Sequence, residues 1–207
     1  MRGSGLGRAA RTALSALTAF FVIGGLALAS AAAQAQPAGV PGCTACHGPA
    51  GNSLVPSIPS IAGQPKVFLE NQLVLIREGL RDVPAMKAVM GGLVDEEIIV
   101  LARYFSAQAA LAPLGAVQNA KVRAGAEISR LALCGTCHLP DYSGQGQVPR
   151  LAGQHEEYLV VTMKMYRDNP QPGRDTAMSA VLRGLQDADL ANLAHHFAHF
   201  GSQARLK

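Results

Sequence analysis

Apolar residues recur at helical spacing in two long segments of the chain. The segment 65–79 reads PKVFLENQLVLIREG and opens with a proline, which the first turn of a helix tolerates. Its apolar positions fall on one face of a helix: Phe68, Leu69, Leu73 and Ile76. The segment 155–169, HEEYLVVTMKMYRDN, repeats the pattern and ends before Pro170. No stretch shows the alternation of a half-buried strand, so the sequence predicts an all-α fold.

These segments belong to an internal repeat with a period of about 90 residues. Two aligned pairs carry it: PSIAGQPKVFLENQ (59–72) with PRLAGQHEEYLVVT (149–162), and LVDEEIIVLARYF (93–105) with LQDADLANLAHHF (185–197). Such a period indicates two copies of a domain, because the units of solenoid repeats are shorter. An alanine-rich stretch broken by Pro113 and Gly115 marks the boundary. The predicted limits are a first domain at 36–108, a linker at 109–118 and a second domain at 119–207.

Each copy closes with a helix that begins near an acidic residue. This residue is Asp95 in the first copy and Asp187 or Asp189 in the second. We expect these carboxylates to cap free backbone N–H groups and to complement the helix dipole. Domains of about 80 to 90 residues bury only marginal cores, so a further stabilising group is expected in each.

The start of the chain has the pattern of a secretory signal peptide. Arg2, Arg8 and Arg11 precede an apolar run over 13–29, and small residues follow it. We predict a leader over 1–35, cleaved after Ala35, and export to the periplasm. An uncleaved membrane anchor is the alternative, because the apolar run is near the shortest length that spans a bilayer. No later segment is apolar for long enough to span, so no integral membrane segment is expected after cleavage.

Removal of the leader leaves the chain close to neutral. The full chain has 18 basic and 14 acidic residues, and three of the arginines lie in the leader. The remaining charge is small, and no basic stripe with interleaved aromatic residues is present. The sequence therefore excludes a nucleic-acid-binding surface.

All four cysteines belong to two copies of one pentapeptide, CTACH (43–47) and CGTCH (134–138). A structural disulfide would leave both histidines unexplained, and a redox-active dithiol is expected in a βαβ setting. A zinc ribbon is disfavoured because 87 residues separate Cys46 from Cys134. The spacing C-x-x-C-H is that of covalent haem attachment. Two complete copies favour two covalently bound haem c groups, with Cys43, Cys46, Cys134 and Cys137 forming the thioethers and His47 and His138 facing the irons.

A sixth iron ligand is expected from a methionine or a second histidine. Met86 lies seven residues before Leu93, and Met178 lies seven before Leu185, so the two methionines are equivalent in the repeat. We predict both as ligands. Met90 has no methionine counterpart in the second copy.

The other methionines and histidines are given packing roles. Met163 and Met165 are predicted core residues of a helix. A helix-surface or packing role is predicted for three histidines without counterparts in the first copy: His195, His196 and His199. For His155 two interpretations stay open, a hydrogen bond to a haem propionate or a contact between the domains.

The order of these motifs resembles that of the cytochrome c4 family. The likeness extends over residues 40–200 and comprises two C-x-x-C-H sites, an AGQ after each, a methionine before each closing helix and an aromatic residue near its end. It implies a dihaem electron carrier rather than an enzyme, with two tandem class I cytochrome c-like domains. The implied partners are a redox protein donor and an acceptor, the latter a membrane-bound terminal oxidase. The implied haem ligands are Cys43, Cys46, His47 and Met86 for one haem, and Cys134, Cys137, His138 and Met178 for the other.

The first copy departs from this pattern ahead of its haem motif. The second copy has QNAKVRAGAEISRLAL (118–133), long enough for a helix before Cys134. The cleaved chain has only QPAGVPG before Cys43, and two prolines and two glycines among seven residues prevent a full helix. We therefore predict a more exposed first haem with the lower reduction potential.

Two other classes of protein share parts of this pattern. A dihaem peroxidase needs one iron that can open to peroxide, which two methionine-capped sites oppose. A dihaem subunit of a dehydrogenase complex, such as a sulfide-oxidising flavocytochrome, has the same folds and ligands. This second alternative stays open at the level of sequence.

Overall fold

A computed structural model describes residues 36–112, 115–169 and 173–201. We call 36–112 the first half and 115–201 the second half. The predicted leader and its cleavage site lie outside the described residues, and the predicted domain limits stay a prediction. Within the described residues the fold is all-α, and the only β-type pairing is an isolated bridge between Gln145 and Val148. None of the described helices is both long enough and apolar enough to cross a membrane.

Four helices form the first half and five form the second. Those of the first half are α1 (Val40–His47), α2 (Lys66–Arg77), α3 (Pro84–Met90) and α4 (Asp95–Ser106), and a short 3-10 turn, Pro49–Gly51, follows α1. Those of the second half are α5 (Asn119–Leu131), α6 (Cys134–His138), α7 (Glu156–Asp168), α8 (Thr176–Leu182) and α9 (Asp187–Ala198). The helices predicted from apolar spacing are confirmed as α2 and α7, and the predicted closing helices are confirmed as α4 and α9.

Acidic residues cap the closing helices, but at a later position than the first residue in each. Glu97 accepts a hydrogen bond from the Val94 N–H at 3.0 Å, and Asp189 accepts one from the Gln186 N–H at 2.9 Å. The prediction of Asp189 as a cap is therefore confirmed, and that of Asp95 is wrong. The carboxylate of Asp95 instead forms an ion pair with Arg77 of α2.

That ion pair recurs in both halves. The Arg77 guanidinium lies 2.8 Å from Asp95 and donates to the Leu93 carbonyl at 3.1 Å. The Arg167 guanidinium lies 2.7 Å from Asp187 and donates to the Leu185 carbonyl at 2.9 Å. Each arginine thus ties the end of a long helix to the segment that leads into the closing helix. Since the aspartates of both pairs are largely exposed, we attribute to the pairs positioning rather than a large gain in stability.

The two halves bury their closing helices in different ways. In the second half α5 packs across α9 so closely that a Cβ on Gly125 would lie 2.1 Å from the Asn192 carbonyl oxygen. The first half has no helix before α1, as predicted. There Val40 is fully buried in a cluster with Leu101 and Phe105. One valine at the start of α1 thus covers part of the α4 face that a crossing helix covers on α9.

Reciprocal hydrogen bonds join the two halves through the two AGQ motifs. The Gln64 side chain donates to the Arg150 carbonyl and accepts from the Arg150 N–H, both at 2.9 Å. The Gln154 side chain does the same with the backbone of Ser60, both bonds at 2.8 Å. Since Ser60 and Arg150 occupy equivalent positions in the repeat, each half offers the same backbone segment to the glutamine of the other. We call this region the junction.

His155 also belongs to the junction. Its Nε2 lies 2.9 Å from the carbonyl oxygen of Ser53, in the first half. Of the two interpretations left open by the sequence, the contact between halves is the one that the structure contains. The side chain is buried, as are those of Gln64 and Gln154, so these polar groups depend on one another for hydrogen bonds.

The three histidines at the end of the chain are buried. His195, His196 and His199 are 1%, 7% and 7% exposed, because the end of α9 packs against both α5 and α7. The packing role is therefore confirmed and the helix-surface role is wrong. Met163 is buried as predicted, whereas Met165 is 37% exposed and accepts a weak hydrogen bond from Arg174, so its core assignment is wrong.

Candidate haem sites

The histidine that closes each C-x-x-C-H motif is held in the same way in both halves. His47 Nδ1 donates to the Pro59 carbonyl at 2.8 Å, and His138 Nδ1 donates to the Pro149 carbonyl at 2.8 Å. Within the described part of the chain, Nε2 of neither ring takes part in a hydrogen bond. A histidine that binds a metal has this arrangement, since one nitrogen donates to a carbonyl and the other keeps its lone pair.

The local backbone brings each histidine under its proline. The C-x-x-C-H residues are helical in both motifs, and the histidine is the last residue of α1 and of α6. The next residue turns the chain back at positive φ, Gly48 at 75° and Leu139 at 68°. A leucine in this conformation is strained, and glycine is not, so the second half stores strain at a turn that the first half makes freely.

Both imidazoles are buried and neutral at physiological pH. His47 is 8% exposed and His138 is 4% exposed. Burial lowers the pKa of each ring below the ordinary histidine value, and the hydrogen bond to the proline carbonyl offsets this only in part. A neutral imidazole is the form that binds iron, so no proton has to be displaced from Nε2.

All four cysteines are free thiols with matching environments. Cys43 and Cys134 are half-buried against apolar clusters, and burial raises the pKa of both thiols. Cys46 and Cys137 are exposed.

The two predicted methionine ligands occupy equivalent places at the start of short helices. Met86 follows Pro84 in the first turn of α3, and Met178 lies in the first turn of α8 behind the capping Asp175. Both side chains are half-buried at the edge of an apolar cluster, Met86 in the first half and Met178 in the second.

Met90 differs from Met86 in the way the repeat predicts. It is 2% exposed and packs with Ile76 and Ile98 in the core. Its equivalent in the second half is Leu182, also 2% exposed. A position that holds methionine in one copy and leucine in the other fills a core, so Met90 is not available as a ligand.

Each half therefore offers what a covalent haem c requires. Two free thiols lie three residues apart in a helical turn, and the adjacent neutral imidazole keeps an unshared Nε2 lone pair. Both halves have this arrangement with the same hydrogen-bond length, and the repetition supports a haem site more strongly than one copy would. The chemistry of these thiols and imidazoles therefore fits haem c. The assignment of Met86 and Met178 as the sixth ligands stays a prediction.

A group of potential metal ligands outside these sites does not fit a metal ion. Ligand atoms of Glu156, His195 and His199 lie within 4.8 Å of one another. However, His195 Nδ1 donates to the Glu156 carboxylate at 2.7 Å, and its Nε2 accepts the Gln118 N–H at 2.9 Å. A metal on Nδ1 would require a proton on Nε2, which would then face the Gln118 N–H. We interpret the group as a clamp that holds the start of α5 to α7 and α9.

Sequence reasoning missed the residues that support the histidines and join the halves. Pro59 and Pro149 supply the carbonyl acceptors, and Gln64 and Gln154 fix the residues that follow those prolines. The signal was present in the sequence, since P-x-x-A-G-Q occurs once in each copy. It could be recognised as a repeat, but not assigned a role without the distance between the copies.

Comparison with known proteins shows a likeness over most of the chain. A sequence model of the cytochrome c family matches residues 122–199, within the second half. Cytochrome c4 of Azotobacter vinelandii is 30% identical over 194 residues, covering 84% of this chain and 91% of that protein. A thiosulfate dehydrogenase electron acceptor of Thiomonas intermedia is 30% identical over 188 residues, covering 82% and 83%. The crystal structure of reduced cytochrome c4 from Pseudomonas stutzeri has a TM-score of 0.72 at 29% identity, covering 78% of this chain and 94% of that one.

Proposed function

This chain belongs to the cytochrome c4 family, and we propose that it works in the periplasm, passing electrons from a redox protein donor towards a terminal oxidase. It is a dihaem c-type electron carrier, with one haem c on each C-x-x-C-H motif. The observation that carries the proposal is the pair of buried histidines, each donating Nδ1–H to a proline carbonyl at 2.8 Å. Duplication of this support gives two redox sites in one chain.

We assign each iron one histidine and one methionine, His47 with Met86 and His138 with Met178. When bound, haem supplies reversible one-electron exchange at its iron. The proline carbonyl fixes the orientation of the histidine ring and makes Nε2 a stronger donor. The methionine thioether favours the ferrous state and so raises the reduction potential. The chain's own contribution is thus to fix both ligands in advance and to keep water from the buried ring.

The direction of electron flow has two candidates. Passage to a terminal oxidase follows the cytochrome c4 assignment. A second candidate is the electron acceptor of a dehydrogenase, and it is favoured by the similarity to the thiosulfate dehydrogenase electron acceptor of Thiomonas intermedia. Both candidates use the same ligands and differ only in the donor that docks. The sulfide-oxidising flavocytochrome is one form of this second candidate, and thiosulfate oxidation is the form that the relative supports.

Kinetics with defined partners separates the two candidates. The oxidised holoprotein is mixed with thiosulfate and a thiosulfate dehydrogenase, and the reduced holoprotein is mixed with membranes that contain a terminal oxidase. Reduction in the first mixture as fast as dehydrogenase turnover supports the dehydrogenase acceptor. Oxidation in the second at a rate that exceeds its reduction in the first supports the shuttle to the oxidase. Absence of electron transfer in both mixtures would contradict both.

Export and haem content are tested on the same preparation. We expect a chain that begins at Gln36 and carries two covalent haems, because both motifs are complete and the leader ends in small residues. Intact-mass measurement of the periplasmic protein checks both points. A retained leader would contradict the proposed location, and a mass with one haem would contradict the second site.

A further inference from the structure

One buried cation in the junction has no counter-charge among the residues that the structure describes. Arg150 is 8% exposed, and in the described residues no carboxylate lies within ion-pair distance of its guanidinium. Its Nη2 donates to the Ala62 carbonyl at 2.8 Å and its Nη1 donates to the Ala152 carbonyl, but its buried Nε has no hydrogen-bond partner. The guanidinium is therefore incompletely satisfied in charge and in hydrogen bonds.

This arrangement is costly unless something else binds there. An unpaired charge loses its hydration when it is removed from water, and a buried donor without a hydrogen-bond partner adds to that cost. Burial lowers the pKa of Arg150 to about 10, so the side chain is still charged at neutral pH. The other partly buried arginines of the repeat, Arg77 and Arg167, each pair with an aspartate. Arg150 has no such carboxylate partner among the residues that the structure describes.

The position of Arg150 identifies which anion is close. It follows Pro149, whose carbonyl holds His138, and it reaches across the junction to Ala62 in the first half. The equivalent residue in the first half is Ser60, so this position of the repeat carries a cation in the second half alone. Haem brings two propionate carboxylates to each site. The C-x-x-C-H motifs are the covalent attachment motifs that we identify in this chain, and haem is the anionic group that they attach. The carboxylate is also the group that a guanidinium fork recognises best.

We propose that Arg150 is the counter-cation of a haem propionate at the junction and that its Nε donates to that carboxylate. The proposal rests on the two haem sites of the proposed function. Arg150 acts as a positioning residue, since it touches the propionate edge and not the iron. Its positive charge disfavours the ferric state relative to the ferrous state, so it raises the reduction potential of the haem whose propionate it binds.

The decisive measurement is a spectroscopic redox titration of the holoprotein with three matched variants. Arg150→Gln removes the buried charge, and Arg130→Gln removes the same charge from an exposed ion pair. Gln64→Ala loosens the junction without changing any charge. For Arg150→Gln we expect one haem to become about tenfold harder to reduce, which corresponds to about 59 mV for one electron. Neither of the other variants should show this fall, and Arg150→Lys should restore part of it.

Two outcomes would overturn the proposal. A fall in reduction potential in Arg150→Gln that is no larger than the fall in Arg130→Gln would show that the buried charge does not set the potential. An equal fall in Gln64→Ala would assign the effect to loosening of the junction. Haem content is measured first by mass, so a chain with fewer than two haems would count against the proposed function instead.

A second measurement keeps the test decisive if Arg150→Gln does not fold. The redox difference infrared spectrum of wild type and of Arg150→Lys reports the carboxylate stretch of the propionates. Since lysine cannot reproduce the Nε–H bond, we expect a propionate band to shift in Arg150→Lys and not in Arg130→Gln. Identical bands in all three proteins would overturn the proposal.

Discussion

The two halves of the molecule hold the same chemical groups in unequal frames. The distance from the histidine Nδ1 to the proline carbonyl oxygen is 2.8 Å in both. In both, an arginine of the long helix, Arg77 or Arg167, donates to a backbone carbonyl just before the closing helix. The second half closes α9 under the crossing helix α5, whereas the first half closes α4 with Val40 and the turn before it. The difference indicates that the histidine, its carbonyl and the closing helix are the essential unit, and that the N-terminal helix is additional packing.

Further differences lie close to the sites. The turn after the histidine uses Gly48 in the first half and the strained Leu139 in the second. On the closing helix Tyr104 accepts a hydrogen bond from Gln36, whereas the equivalent His196 has two buried nitrogens that find no partner among the described residues. Among the described residues, the second half, which has the additional helix, therefore also has more buried polar atoms without a hydrogen-bond partner. We infer that packing of the additional crossing helix offsets the loss of stability that these groups cause.

The strongest test of equivalence is to remove the sixth ligand in each half. We expect Met86→Ala and Met178→Ala each to open one iron, because neither half has a second methionine at the edge of its cluster. The methionine–iron charge-transfer band of one haem should disappear. Its potential should fall by a sizeable share of the roughly 0.8 V that axial ligands span. Absorption spectra and a redox titration of each variant check this.

Met90→Ala is the matched control for the first half. Its side chain lies in the core, so the variant should keep both low-spin spectra and lose about 2–5 kcal/mol of unfolding free energy. Leu182→Ala is the same control in the second half. Loss of a charge-transfer band in Met90→Ala would show that the register of the repeat assigns the wrong methionine.

The crossing of α5 and α9 can be broken without touching a haem ligand. A Cβ at Gly125 would lie 2.1 Å from the Asn192 carbonyl oxygen and 2.6 Å from His196 Cβ, so α5 has to move. We expect Gly125→Ala to lower the free energy of unfolding by about 3 kcal/mol. Hydrogen exchange should show the loss of protection in α5 and α9 but not in α2 and α4.

Gly184→Ala serves as the control for this change. It lies in the same half, and a Cβ there meets nothing within 4 Å. Its unfolding free energy should stay within about 0.5 kcal/mol of wild type, as for ordinary surface substitutions. Equal loss of protection in both halves of Gly125→Ala would mean that the second half does not depend on the crossing more than the first does.

A smaller effect is expected on the two reduction potentials. With equal ligands, a difference has to come from solvent exposure and charge. The first half lacks a crossing helix and has five basic and six acidic residues, against ten and eight from residue 113 onwards. Both terms stabilise the ferric state in the first half, and ionic screening at about 10 Å limits the charge contribution. We expect a two-step titration separated by tens of millivolts, with the lower step in the first half.

Assignment of the steps uses histidine in place of methionine. Met86→His should move the lower step and Met178→His the upper one, each with the other step unchanged. A single wave with the shape of one independent electron per haem, or a lower step that follows Met178→His, would contradict the ordering.

The sequence determined the repeat, the helices and the haem motifs because each depends on local spacing. The apolar period gave α2 and α7, and the equivalence of Met86 with Met178 separated them from Met90, whose burial agrees. The junction could not be predicted, since Gln64 and Arg150 are 86 positions apart and their bonds depend on how the halves pack. For a related reason the sequence left a surface role and a packing role open for His195 and did not identify Glu97, instead of Asp95, as the cap. Propensity describes which residues suit a helix end, and tertiary contacts decide which one is used there.

The smallest expected effect concerns pH and the closing helix of the second half. Burial lowers the pKa of His196, and within 36–112, 115–169 and 173–201 neither ring nitrogen has a partner that would stabilise the protonated form. The unfolded chain then binds a proton near pH 6.5 that the folded chain does not. Stability conferred by the neutral ring is therefore complete above that pH and is lost as the pH falls towards the folded pKa, by at most about 1.4 kcal/mol per pH unit. We expect His196→Leu to unfold with a smaller difference between pH 7.5 and pH 5.5 than wild type. Tyr104→Phe, at the equivalent position in the first half, should leave that difference unchanged. Denaturant unfolding of the holoprotein at both pH values checks this, and an equal pH dependence in His196→Leu and wild type would show that His196 does not distinguish the halves.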